Sequence, residues 1–455
     1  MAILGRDNLM TTLGIRSVLA ATASALVLSA ASQAQDVTAL EERLAALEAM
    51  VADLRGELEE ARAQADAATD RVIEIEQRTA SAPAAPAASS SADRGFMMGN
   101  TQVTYGGYVD LDAHVTDLSD GDFGATSIAR DFYISGATPV GGSGDGETDF
   151  DFTAKSSRFF FATSTESDIG TVTGRIEFDF LGSASGDERV SNSYNPRLRV
   201  AWMQLGNWRI GQDWSTFTNT AVIPESASFL VGSDGMLFGR QAQIRYTNGG
   251  FQFALENPDT TVTPFGGGGR IDGGDGAFPD VVARYNWSGD YGAMTVSALG
   301  RNLAYEGGGV DGNAFGWGLN WSGKLNLGEG SDLRFSLTGG EGIGRYIGLN
   351  AVNGAVVNAS GDLEAIPVYG GLVAWRQALG DGRRLSIGYS MLEADNDITL
   401  TGTSVTKSTW SAFGAYFFPV GPVTVGAELL FGERELENGQ SGTITRATLS
   451  TKYPF

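Results

Sequence analysis

Two hydrophobic periods divide this chain. Between Val37 and Ile75 apolar residues return in heptads, with Val37, Leu44, Val51, Leu58, Ala65 and Val72 at one position and Leu40, Leu47, Leu54, Ala61, Ala68 and Ile75 at the other. So strict a repeat, held over more than five heptads, predicts an α-helical coiled coil rather than one amphipathic helix lying on a surface. At ~1.5 Å per residue the rod would be roughly 60 Å long. Flanking charges such as Glu41, Arg43, Glu48, Arg55, Glu57 and Arg62 would choose partner and register more than add stability. A seam of this kind requires further copies of the chain, and its mixed Val/Leu layers do not fix their number.

After residue 95 the period changes from heptad to alternation, the signature of strands with one greasy and one wet face. About sixteen such segments can be drawn, at 102–116, 149–166, 170–182, 197–205, 207–216, 239–247, 250–257, 279–288, 291–302, 313–325, 331–341, 366–378, 383–393, 406–418, 422–434 and 441–455. The links between them alternate in length. Short ones fall at 167–169, 206, 248–249, 289–290, 326–330, 379–382 and 419–421; long ones at 117–148, 183–196, 217–238, 258–278, 303–312, 342–365, 394–405 and 435–440. A soluble sandwich has no reason to sort its loops this way, whereas a transmembrane barrel has short periplasmic turns and long outer loops. The expected fold is therefore an all-β transmembrane barrel preceded by a coiled coil. An even strand count returns both ends to the periplasmic side, so the rod would hang there. In the last segment Phe455, Tyr453, Leu449 and Ala447 share one face and Lys452, Ser450, Thr448 and Arg446 the other, which resembles the C-terminal strand by which barrel-assembly machinery recognises outer-membrane proteins. Pro454 lacks an N–H, so pairing of this strand with the segment starting near Gln102 is expected to stop one residue short.

Composition narrows the class. The chain has 455 residues with 63 Gly and no Cys, which suits many strands and turns and removes disulfides as a source of stability. A formal charge of −23 argues against nucleic acid, which is bound through clustered Lys and Arg. Residues 1–34 read as a secretory signal peptide, with positive charge from Arg6 and Arg16 ahead of an apolar run at 18–28 and a small-residue cleavage site at Ser32-Gln33-Ala34. Residues 35–78 are the expected periplasmic coiled coil, 79–94 an Ala/Pro/Ser linker, and 95–455 the barrel. No stretch is apolar enough for a spanning helix, leaving a closed barrel as the way to satisfy the backbone in lipid.

Parity assigns the two faces. Phe159 and Phe161; Ile176, Phe178 and Phe180; Leu198, Val200 and Trp202; Val281, Ala283, Tyr285 and Trp287; and Leu385, Ile387, Tyr389 and Met391 fall on one side. Trp208, Trp287, Trp410, Tyr416 and Tyr453 lie near strand ends, where interfacial girdles form. The opposite parity carries Arg158, Arg175, Glu177, Asp179, Arg197, Arg199, Arg209, Arg245, Arg284, Arg334 and Arg384. An arginine facing lipid at the midplane costs roughly 2–4 kcal/mol, so these charges are expected to line a wet lumen. There they would either set ion selectivity and hold anionic solutes or, as pairs such as Arg175 with Glu177 and Asp179 and Arg209 with Asp213, brace the wall. The loop 217–238 is the best candidate to fold into the pore, because Val222-Ile223-Pro224-Glu225 is apolar where an exposed loop would be polar. Glycine runs at 142–146 and 266–276 do not lead a strand into a helix, which argues against phosphate cradles. Asp117, Asp120, Asp122, Asp272 and Asp275 read as solvated loop acids before a Ca²⁺ site. His114 is the lone histidine; neither a catalytic triad nor a metal cluster can be assembled from spacing, so neither an enzyme nor a cofactor is expected.

The order of signal peptide, heptad rod, linker and barrel, with the phrases Arg199-Val200-Ala201-Trp202, 206–217 (Gly206 to Phe217) and Gly107-Tyr108-Val109-Asp110-Leu111-Asp112, resembles the DcaP-like trimeric porins of Gram-negative bacteria. The resemblance implies a homo-trimer in outer-membrane lipid and passive diffusion of small anionic solutes such as dicarboxylates. Arg158, Arg197, Arg199, Arg209 and Arg245 would be counterparts of that family's basic pore lining. A cation-selective general porin, favoured by the net charge, and a barrel-anchored tether reaching the peptidoglycan are the alternatives.

Overall fold

The computed structural model describes residues 95–455 apart from 143–144, 183–190 and 275. The expected signal peptide, heptad rod and linker lie outside the described residues. Sixteen antiparallel strands form the wall: β1 (Thr101–Leu118), β2 (Thr148–Thr153 and Arg158–Ser167, interrupted between them), β3 (Gly170–Asp179), β4 (Arg197–Leu205), β5 (Trp208–Trp214), β6 (Arg240–Asn248), β7 (Phe251–Glu256) and β8 (Asp280–Gly289). The rest are β9 (Gly292–Gly307), β10 (Val310–Asn326), β11 (Asp332–Glu341), β12 (Pro367–Gly380), β13 (Arg383–Ala394), β14 (Thr406–Val420), β15 (Val423–Leu436) and β16 (Ser441–Pro454). Each pairs with the next, and β16 pairs back onto β1 from Tyr108–Pro454 to Leu118–Ile444, closing the barrel.

Alternation does here the reverse of what it does in a soluble protein. On β1, Val109, Leu111 and Val115 are about half exposed, while Asp110, Asp112, His114 and Thr116 between them are buried. The apolar side faces out and the polar side in, as a wall in lipid requires. All sixteen expected segments correspond to strands.

Two expectations are corrected. The stretch 303–312 is not a long loop: β9 and β10 continue past the expected ends and turn at Gly308-Gly309, both with positive φ, the backbone of a tight hairpin. The extension survives because Leu303 and the side chains of Tyr305, Val310 and Ala314 pack on Val262, Ala355, Val357 and Leu363. Those four belong to a small sheet of Thr261–Thr263, Ile271–Asp272, Ala355–Val357 and Leu363–Ala365, built from two other long loops. Nor does pairing stop short at Pro454. Phe455 N donates to Gly107 O at 3.1 Å and Gly107 N to Phe455 O at 3.2 Å. Those mutual bonds make Tyr108–Pro454 a non-hydrogen-bonded pair, so the proline N points away from β1, and the pairing with β15 has already ended at Lys452. The segment near Gln102 pairs instead with a preceding short strand, Gly95–Met98.

The loop 217–238 does enter the barrel, and it crosses to the far wall. Its start is held where Arg284 donates to Thr218 O (2.9 Å) and Asn219 to Ser322 (3.0 Å). Further along Arg334 donates to Ile223 O, and Arg376 and Arg384 both grip Glu225. Glu428 on β15 accepts from Ala227 N (2.8 Å) and from the hydroxyls of Ser226 and Ser228 (both 2.9 Å). Phe217, Ala227, Leu230, Val231, Met236 and Leu237 are buried. The loop 119–147 folds inward too. Tyr133 donates to Asp234 of the first loop (2.9 Å), Arg446 to Ala129 O at 2.6 Å, and Arg434 to Thr138 O at 3.2 Å. Phe132-Tyr133-Ile134 is its apolar signal, of the same kind as Val222-Ile223-Pro224.

Burial by itself would raise the Glu225 carboxyl, but hydrogen bonds from Arg384 and Arg376 hold it below the usual glutamate value. A carboxyl so lowered adds stability that is complete above its unfolded value of about 4.3 and is lost as pH falls through the lowered one. Glu225→Gln should therefore give a larger and noisier single-channel conductance at neutral pH, and wild-type protein should move the same way only below about pH 4. A conductance unchanged by the substitution in planar bilayers would show that the clamp does not hold the loop.

Candidate functional site

The lumen wall from β2 to β8 carries the expected charges. Its centre is a bulge between β3 and β4: Glu177 lies opposite Val200 and Phe178 opposite Leu198, which leaves Arg199 as the extra residue. Gln212 on β5 steadies the bulge by donating to Leu198 O (3.2 Å) and Arg199 O (3.1 Å). Arg199, buried, spans two carboxylates, with Nε 2.8 Å from Glu177 and Nη1 2.6 Å from Asp179. Arg197 takes Asp179 with two parallel bonds of 2.8 Å. Arg175 reaches Glu177 at 2.8 Å, and Arg158 Nε lies 3.6 Å from it. Four arginines thus share two acids.

The bulge corrects one expectation of parity. Leu198 faces out, but Val200 is buried. Trp202 turns into the lumen, where the Arg209 guanidinium lies 4.0 Å from its ring centre. One extra residue has inverted the alternation beyond it. Next along the wall, Arg209 Nη1 pairs with Asp213 at 2.7 Å and Arg245 Nη1 with the same carboxylate at 3.4 Å. Arg245, buried, also donates to Thr216 Oγ1 (2.8 Å) and to Trp214 O. Arg284 is placed under the first turn of the inward loop. The pairs Arg175–Glu177 and Arg209–Asp213 therefore exist as expected, while Asp179 belongs to Arg197 and Arg199 on the neighbouring strand.

Several guanidiniums lie on aromatic faces: Arg175 on Phe160 at 3.9 Å, Arg158 on Tyr108 at 5.3 Å, and Arg199 and Arg197 on Phe229 of the inward loop at 5.4 and 5.9 Å. Stacking fixes the plane of the fork while leaving N–H edges to donate. The side chains of Arg158, Arg175, Arg197 and Arg209 keep 24–31 % of their surface open to solvent.

Arg240 completes the wall, and alternation hides it, since it has the parity opposite to Arg245 on β6. At the strand's end its guanidinium lies over Trp214 (5.0 Å) and Phe238 (5.7 Å). Phe238 in turn contacts Phe229, so these rings lead back to Arg197 and Arg199. Among the described residues neither Arg240 nor Arg284 has a carboxylate at ion-pair distance, and Arg240 Nη1 is buried without a hydrogen-bond partner. The carboxylates of this wall are committed. Glu177, Asp179 and Asp213 have arginines, and Glu256 accepts from Ser215 Oγ (2.7 Å) and Thr216 N (2.6 Å). Among the described residues no three acidic or imidazole groups meet as a metal site.

A barrel with an inward loop and a charged wall has relatives of known structure. The outer membrane channel DcaP of Acinetobacter baumannii is similar over 80 % of this chain and 100 % of its own, at 21 % identity and a TM-score of 0.64. An anion-selective porin from Comamonas acidovorans is more distant, with 13 % identity, 78 % and 100 % coverage and a TM-score of 0.49. OmpF of Salmonella typhi in complex with daunomycin gives 12 %, 78 % and 98 %, and 0.46. Comparison with curated proteins finds no match. The sequence pattern of the DcaP outer membrane protein family matches residues 24–455, and the chain accordingly belongs to that family of outer-membrane porins.

Proposed function

We propose that this outer-membrane channel passes small hydrophilic anions by passive diffusion, with dicarboxylate-type solutes foremost, and that no reaction takes place in it. The observation that carries the reading is the uneven pairing along the β2–β8 wall. Among the described residues Arg240 and Arg284 have no carboxylate at ion-pair distance and Arg240 Nη1 has no hydrogen-bond partner, while Arg158 and Arg175 share Glu177 with Arg199. Planar forks of this kind take a carboxylate through two parallel bonds. A cation-selective pore is the competing reading, drawn from the −23 formal charge. Many of those acids lie on loops and outside the wall, and at physiological salt a charge is screened beyond about 8 Å, so the narrow wall outweighs the mouth.

The assembly follows from the same reading. Short turns face the periplasm, three barrels associate, and the seam of residues 37–75 joins them below, within reach of peptidoglycan. Phe455 serves as the mark by which assembly machinery receives the chain.

Reversal potential across a salt gradient tests selectivity. Wild-type channels should favour chloride, and Arg240→Ala and Arg209→Ala should each move the potential toward potassium. A potassium preference in wild type that neither variant alters would overturn the anion reading. Arg199→Ala acts differently, because it strands Glu177 and Asp179. Breaking a buried pair costs about 3–5 kcal/mol, so that variant should lose heat resistance on gels as well as anion preference. Deleting residues 37–75 should weaken the trimer; truncated protein that stays trimeric and equally heat-resistant would assign the rod to reach alone.

A further inference from the structure

Among the described residues Arg240 has no carboxylate at ion-pair distance, and its surroundings make the position costly. Arg199, Arg197 and Arg158 repel it, and Asp179, which attracts it, is already bound by Arg197 and Arg199. A guanidinium in such a field swings out into water unless something else holds it. What holds it is aromatic. Trp214, its partner across the β5–β6 pair, has its ring 5.0 Å from the guanidinium, and Phe238 has its ring 5.7 Å away.

The two rings are themselves fixed. They meet edge to face, with centroids 4.8 Å apart and planes at 89°. Trp214 ends β5 and Phe238 ends the inward loop just ahead of β6, where Ser215 N donates to Gly239 O at 2.9 Å, so closure of the loop on its own stem brings the rings together. Phe238 N donates to Tyr346 O at 3.0 Å. Phe229 lies 6.3 Å from Phe238, and Phe132, from the other inward loop, lies 4.8 Å from Phe229. Phe132 is buried with Leu181, Leu230 and Met236, which anchors the far end of the row, while Trp214, Phe229 and Phe238 are only half-buried.

We infer, on the anion reading above, that Trp214 and Phe238 are positioning residues for anion passage, holding Arg240 beside the channel where its charge acts on a passing carboxylate. A ring face attracts a guanidinium that lies on it, and the N–H groups in the guanidinium plane stay free to donate. Phe229 does the same for Arg197 and Arg199 at 5.9 and 5.4 Å. Those two also have Asp179, so their place depends less on a ring.

The test is a double-substitution cycle on the full-length protein in planar bilayers. Reversal potential in a potassium chloride gradient gives the chloride-to-potassium permeability ratio of wild type, Phe238→Leu, Arg240→Ala and the pair. Leucine keeps apolar bulk and removes the ring face. Phe238→Leu should lower the ratio roughly two- to five-fold and Phe229→Leu less. The double variant should fall no further than Arg240→Ala alone, because a ring that acts through Arg240 then has nothing to hold. A ratio unchanged in Phe238→Leu, or a double variant that falls by the product of the single effects, would overturn the inference while a wild-type chloride preference keeps the anion reading; wild type without that preference would remove both. Trp214→Leu taken through the same cycle guards against one substitution that disturbs the loop.

Discussion

Backbone hydrogen bonding in lipid is the constraint from which this molecule follows. A strand that leaves a donor or acceptor facing hydrocarbon loses several kcal/mol per group, so the sheet must close, and it does so through Gly107 and Phe455 at one end of the β1–β16 seam and Leu118 and Ile444 at the other. Closure then turns the polar face inward. Aspartates, arginines, serines and threonines that would coat a soluble protein become the interior, and the hydrophobic residues become the coat.

A polar interior is also what allows long loops to fold into it. The backbone groups of 217–238 leave water when they cross the lumen, and each needs a partner. The wall supplies them: Arg284 and Arg334 donate to the carbonyls of Thr218 and Ile223, while Glu428 accepts from the Ala227 amide and the Ser228 hydroxyl. The arginines thus divide by position. Arg334, Arg376, Arg384, Arg434 and Arg446 on β11–β16 reach loop backbone or Glu225, whereas Arg158, Arg175, Arg197 and Arg199 on β2–β4 share Glu177 and Asp179 and lie on aromatic rings.

The charge network and the barrel geometry meet at the β3–β4 bulge. One unpaired residue, Arg199, sits between Glu177 and Asp179 and flips the parity of the rest of β4, which brings Trp202 beneath Arg209. A local irregularity of the backbone thereby sets which side chains line the channel. The break in β2, between Thr153 and Arg158, is a second irregularity, where the Ser157 hydroxyl replaces the ladder by accepting from Asp110 N.

Strand number, direction of the two faces and alternation of loop lengths were legible because each is a period-two or chain-order property, and lipid enforces that period on every strand. The lumen position of Arg158, Arg175, Arg197, Arg209 and Arg245 followed from the same rule. Its failures come where the rule itself is interrupted. Arg240 lies at a strand end and Trp202 beyond a bulge, and the tight Gly308-Gly309 hairpin depends on packing against loops distant in sequence. The inward path of 217–238 was signalled by its apolar residues, as was that of 119–147 by Phe132-Tyr133-Ile134, but the partners of both were not, since Arg384 lies 159 residues from Glu225, Glu428 201 from Ala227 and Arg446 317 from Ala129. Sequence alone determined a closed barrel with a charged lumen, because backbone satisfaction in lipid admits little else; which arginines keep a carboxylate and which remain open was decided by tertiary structure, because pairing depends on distances across strands and loops that no local pattern encodes.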